Sequence, residues 1–162
     1  MKKRVGFYIF LILTVFVMIA IFGFSSQNAQ DSSNTSGSVI GNILQSVDEN
    51  FKSASKEIQA EIIGSYQNII RKIAHFTIFT ALGFCCLGTF YFTELKRHIK
   101  VLGAAVVGLI YAFFDEVHQI FVPGRGPALK DVIIDFSGVL FGIIILSGII
   151  FIIKMLFNKQ QA

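Results

Sequence analysis

Charged, imidazole and amide side chains interrupt the apolar second half of this sequence at three places. These are Arg71, Lys72 and His75, then Asp115, Glu116, His118 and Gln119, and finally Arg125, Asp131 and Asp135. Ionisable groups are costly at membrane depth, so within an apolar stretch they mark a site or the counter-charges of one. Arg71, Lys72 and Arg125 suit an anion, because guanidinium groups grip phosphate or carboxylate in bidentate fashion. Asp115, Gln119, Asp131 and Asp135 complete the ligand-binding set, and Asp115, Glu116, Asp131 and Asp135 would orient the cations and the two histidines. His75, Glu116 and His118 are the candidates for proton transfer. The same imidazoles and carboxylates have the chemistry to hold a divalent metal, although their spacing matches no standard ligand pattern. A third reading makes the opposite charges a static network that locks helices together. Ion networks and active sites look alike at this level, so all three readings stand. No nucleophile motif, HExxH pair, Walker loop or GxGxxG turn is present.

The elements that must carry these residues are membrane spans. The chain has 162 residues, 54% of them hydrophobic and 18 of them Phe, which is a membrane-class composition. Four stretches reach the roughly 20 apolar residues that a crossing needs: about 5–24, 73–92, 101–121 and 132–153. The expected fold is therefore all-α, a single four-span bundle over residues 1–162. The first stretch resembles a signal peptide at its basic start, but it is long and no small-x-small cleavage site follows, so it is expected to be retained. Residues 25–70 form a polar segment on the far side of the first span. Ser25–Ser38 reads as loop from its Ser, Asn and Gln content. Val39, Ile40, Ile43, Leu44 and Val47 recur at helical spacing, as do Ile58, Ile62, Tyr66, Ile69 and Ile73. One or two amphipathic helices on the membrane surface are expected, the second running into the second span. Cys85 and Cys86 are adjacent in an apolar run and read as buried small hydrophobes.

Basic residues in short flanks set orientation. Lys2, Lys3 and Arg4, then Lys96, Arg97 and Lys100, then Lys154 and Lys159 agree on both termini being cytoplasmic. Scattered among apolar spans, they speak for topology and against nucleic-acid binding. With that topology the three polar groups meet in one layer at the outer boundary. Spacing then turns them inward. Ala104, Gly108, Tyr111, Asp115 and His118 share one helix stripe, and Asp131, Asp135, Gly138 and Gly142 share another. Small residues mark close helix approach in membranes, so the acids on those faces should point into the bundle. Between them, Pro123-Gly124-Arg125-Gly126-Pro127 must form a turn, expected to present Arg125 back over the site.

Arg71-Lys72-Ile73-Ala74-His75-Phe76, the run Asp115-Glu116-Val117-His118-Gln119-Ile120-Phe121-Val122-Pro123-Gly124-Arg125, and Asp131-Val132-Ile133-Ile134-Asp135 together resemble the VanZ-like family of bacterial membrane proteins. Phe24-Ser25-Ser26-Gln27 after the first span also resembles that family. The resemblance spans nearly the whole chain. It implies an integral protein of the bacterial cytoplasmic membrane, with membrane lipids and a lipid-linked cell-wall precursor as partners. The family's namesake is linked to low-level resistance to teicoplanin-type glycopeptides, which act outside the membrane on such precursors. One departure stands out. After the histidine the family often has glutamate and tyrosine, where this chain has Ile78 and Phe79. An activity needing that glutamate is then either absent or served by Glu116. The expected function is an outer-face pocket for an anionic envelope component. The alternatives are a hydrolase or transferase acting on lipid headgroups, and a non-catalytic interaction protein.

Overall fold

Long apolar runs free of proline make helices, because in lipid every backbone polar group must be satisfied within its own segment. The computed structural model describes residues 2–126 and 128–159, and every regular element among them is helical. The side chains of Lys2 and Lys159, and all of Pro127, lie outside the described residues. Six helices follow in order: α1 (Lys2–Ser25), α2 (Ala29–Val47), α3 (Glu49–Ser53), α4 (Lys56–Tyr91), α5 (Arg97–Gln119) and α6 (Leu129–Lys159). Helices α1, α4, α5 and α6 are each long and apolar enough to cross a membrane. Their outward faces carry exposed Ile12, Phe16 and Ile19 on α1, Phe114 on α5, and Ile144 and Ile152 on α6. Apolar surface this continuous needs lipid as its solvent.

The bundle is tightest where glycines replace side chains. Helix α4 packs most extensively against α6, and then against α1 and α5. A Cβ at Gly138 or Gly142 would collide with the carbonyl of Phe76 or Thr80, and one at Gly83 with that of Val139. The α6 glycine pair is thus an α4 contact surface, as small residues at membrane helix interfaces require. Gly108 of α5 receives Val139 in the same way. The core between these helices is Phe79, Leu82, Cys86, Leu87, Ala104, Ala112, Val139 and Ile143, with Ile21 from α1. Cys85 and Cys86 are buried and unpaired.

One boundary differs from the sequence expectation. Helix α2 begins at Ala29, inside the stretch read as loop. Asn28 caps it by accepting the Asp31 amide at 2.8 Å, which satisfies a free helix-end donor. Thr35, Ser36 and Ser38 then turn their hydroxyls onto carbonyls four residues back, so their polarity is absorbed inside the helix. The length of α4, by contrast, agrees with the expectation that the second surface helix runs into the second span. The surface helix and the second span are one unbroken helix of 36 residues. At the opposite end of the bundle, Lys3 pairs with Glu94 at 3.0 Å, tying the start of α1 to the α4–α5 connection.

Candidate functional site

The three polar groups do converge, at the end of the bundle where α1 and α5 finish and α6 begins. Arg71, Lys72 and His75 come from little more than one turn of α4, Arg71 and His75 being four apart. Asp131 and Asp135 come from the first turns of α6, one turn apart on its inward face. Gln119 comes from the last turn of α5 and Arg125 from the α5–α6 connection. All seven line a cavity of about 120 Å³.

The connection that delivers Arg125 is built by two residues. Pro123 and Gly124 occupy the centre of a turn closed by the Arg125 amide donating to the Val122 carbonyl at 3.2 Å. Gly124 has φ +77°, a conformation that favours glycine and, after proline, matches a type II turn. The Ala29 amide donates to the Pro123 carbonyl at 3.2 Å, pinning the turn to the start of α2. Arg125 is thereby folded back over α5, where Nη1 donates to Gln119 Oε1 at 3.0 Å.

Below this lies an acidic floor. Asp115 is buried and accepts two bonds on Oδ2, from Ser25 Oγ at 2.9 Å and from Gln119 Nε2 at 2.8 Å. Asp135 is 1% exposed, and among the described residues neither of its oxygens has a hydrogen-bond donor. His75 Nδ1 stands 3.5 Å from Oδ1, too long for a direct bond of ordinary geometry, and the imidazole carries a charge there only when protonated. Lys72 Nζ stands 3.4 Å from Asp131 Oδ1 at the half-exposed rim. Burial, and after it the neighbouring Arg71 guanidinium, pushes Arg125 below the ordinary arginine range, against the opposing pull of Asp115, Glu116 and Asp131. Two mutually repelling guanidinium groups at one cavity mouth favour an anion between them.

Asp115, Glu116 and His118 do not line this cavity. Glu116 is buried and accepts the Ala128 amide through Oε1, which holds the entry to α6. His118 faces α1, its ring stacked on Phe22 at 4.4 Å between centroids and its Nε2 3.1 Å from Ser26 Oγ. Ser25 is the residue that sequence reasoning passed over. It stood in the sequence only within the run Phe24-Ser25-Ser26-Gln27, as the first polar residue after the uncharged run of α1, and nothing local marked Asp115 as its partner.

A second, larger cavity of about 560 Å³ shares Arg71, His75 and Arg125 with the first. Its walls are mainly apolar, with Ile21 and Phe24 from α1 facing Ala74, Ile78 and Ala81 from α4. Ile78 is thus in a greasy wall, while Phe79 is fully buried and near-parallel to His75 at 6.4 Å.

A family model described as VanZ/LLP1 matches residues 10–154. The chain belongs to the VanZ/LLP1 family. All the candidate site residues named above fall within that match, and the four spans make this member a multi-pass membrane protein. No curated protein and no solved structure matches the chain.

Proposed function

We propose that this VanZ/LLP1 protein lies in the bacterial cytoplasmic membrane with both termini inside, and that its polar end opens outward to bind a phosphate-bearing lipid or lipid-linked cell-wall intermediate. One observation carries this reading: Arg71, His75 and Arg125 line both the charged cavity and the apolar cavity. An amphiphile needs that arrangement. Its anionic head meets Arg71, Lys72 and Arg125 while its tail runs down the α1–α4 wall past Ile78 and Ala81. Arg fits the head better than Lys would, since it offers a planar donor fork. Asp131 holds Lys72 at the rim, and Gln119 holds Arg125. Binding of a lipid-linked precursor at this end would change access of glycopeptides to it, which is the route by which such a protein would contribute to teicoplanin tolerance.

A second reading, cleavage or transfer of the bound headgroup, is favoured by one feature. His75 and Asp135 lie together in the wall of the charged cavity, beside the cations that would hold the head. His75 is the group to move a proton there.

Native mass spectrometry of the protein in mild detergent tests the binding reading. The wild type is expected to carry a phospholipid or polyprenyl phosphate. Hydrogen bonds to charged groups contribute about 1.5–3 kcal/mol, so Arg125→Ala is expected to weaken retention at least tenfold. A wild-type protein that neither retains nor takes up added polyprenyl phosphate overturns the proposal. Product release from the same lipid distinguishes the second reading.

A further inference from the structure

The acidic floor holds more negative charge than its donors account for. Ser25 and Gln119 are both neutral, and both bond to the same oxygen of Asp115. Asp135 is almost wholly buried, with both oxygens free of hydrogen-bond donors among the described residues. A carboxylate taken out of water without partners is among the costliest arrangements in a protein, and buried charges are normally paired or bound to metal. The half-buried His75 reaches in from α4, and one ligand-type atom from each of His75, Asp115 and Asp135 lies within 4.8 Å of the others. We propose that these three side chains bind a divalent cation of the zinc or manganese class.

The donor set and its spacing both fit. One imidazole nitrogen and two carboxylate oxygens suit zinc or manganese better than magnesium, which prefers oxygen alone. Ligands about 2.1 Å from zinc stand roughly 3.0–3.4 Å from one another in tetrahedral or octahedral arrays. The His75 Nδ1 to Asp135 Oδ1 edge, at 3.5 Å, is already close to that length. The remaining separations, at most 4.8 Å, close by side-chain rotation. Each ligand also comes from a different helix, α4, α5 or α6, so the cation would tie the bundle at its polar end. Ser25 and Gln119 supply the hydrogen bonds from the protein that orient ligating carboxylates in metal sites. Three protein ligands leave a coordination position open, and His75 and Asp135 line the cavity that Arg71, Lys72 and Arg125 also line. A phosphoryl oxygen is the ligand chemistry that suits that position. Glu116 and His118, which the sequence offered as further ligands, lie outside the trio: the first bonds Ala128 and the second faces α1.

The metal site rests on three side chains and does not depend on the lipid, so the two are separable. Tag-free protein in mild detergent is stripped with EDTA, loaded with zinc, desalted and assayed by elemental mass spectrometry. One zinc per chain is expected in the wild type and a loss of at least tenfold in affinity in Asp135→Asn and His75→Ala. Because buried substitutions can unfold the protein, a second measurement uses the wild type alone. Manganese is loaded in place of zinc, and pulsed EPR is read for coupling to a histidine nitrogen. A wild type that retains no zinc, folded variants that retain it fully, or bound manganese without nitrogen coupling each overturn the site. Lipid retention is measured on both the EDTA-stripped and the zinc-loaded protein, which separates loss of a metal-held phosphoryl contact from absence of lipid binding. Lipid held without metal binding sinks this inference alone, and metal bound without lipid sinks the other.

Discussion

Gln119 uses both ends of its amide, donating to Asp115 from Nε2 and accepting from Arg125 at Oε1. It is the joint between the acidic floor and the cationic mouth. Removing it leaves a buried carboxylate one donor short and frees the Arg125 fork. Stranding a buried polar partner costs about 1–3 kcal/mol, so Gln119→Leu is expected to lower stability by about that much, read from denaturant unfolding in micelles. Leu keeps the volume, so a result within about 0.5 kcal/mol of wild type, the usual scatter for neutral surface changes, would show that the joint is idle. Helical spacing brought Gln119 and Asp115 to one face, and that much was legible in the sequence. The partner on α1 was not. Which neighbour meets the end of α5 depends on how the helices pack, and no local pattern in the chain encodes that. The same limit separates Asp115 from His118. They are three apart on α5, yet His118 lies on the flank that meets Phe22 and Ser26 while Asp115 points to the core.

At the scale of elements, the α4–α6 contact decides where Asp131 and Asp135 stand relative to Arg71 and His75. Gly138 and Gly142 set its depth, because a side chain at either would meet the α4 backbone. Gly148, farther along the same helix, faces open space, and a methyl group there would have no neighbour within 4 Å. Overpacking a tight core costs typically about 1–3 kcal/mol and more where backbone is the obstacle. Gly142→Val is therefore expected to broaden or abolish the monodisperse peak in size-exclusion chromatography, while Gly148→Val keeps it. Equal behaviour of the two would mean the glycine surface does not set the spacing. The stripes that carry these glycines were readable because membrane helices advertise close approach by small residues. The start of α2 was less so, because Ser and Thr favour loops in general and become helical here by bonding their own preceding turn.

For the whole molecule, the proposed orientation makes a prediction about access. Glu61, exposed on α4, belongs to the polar end, and Glu94, exposed in the α4–α5 connection, to the other. Glu61→Cys is expected to react with a membrane-impermeant maleimide on intact cells, and Glu94→Cys only after permeabilisation. The reverse pattern would invert the protein and put the charged cavity inside. The native Cys85 and Cys86 are buried and should stay silent in both. One property of the molecule follows from the length of α4. Its 36 residues run about 54 Å at the usual helical rise, against a hydrocarbon core of about 30 Å. The first turns therefore stand clear of the bilayer, with α2 packed along them. Since no joint separates that stem from Arg71, Lys72 and His75, the projecting part behaves as a rigid lever. A force applied to the stem is therefore carried along one continuous helix to Arg71, Lys72 and His75.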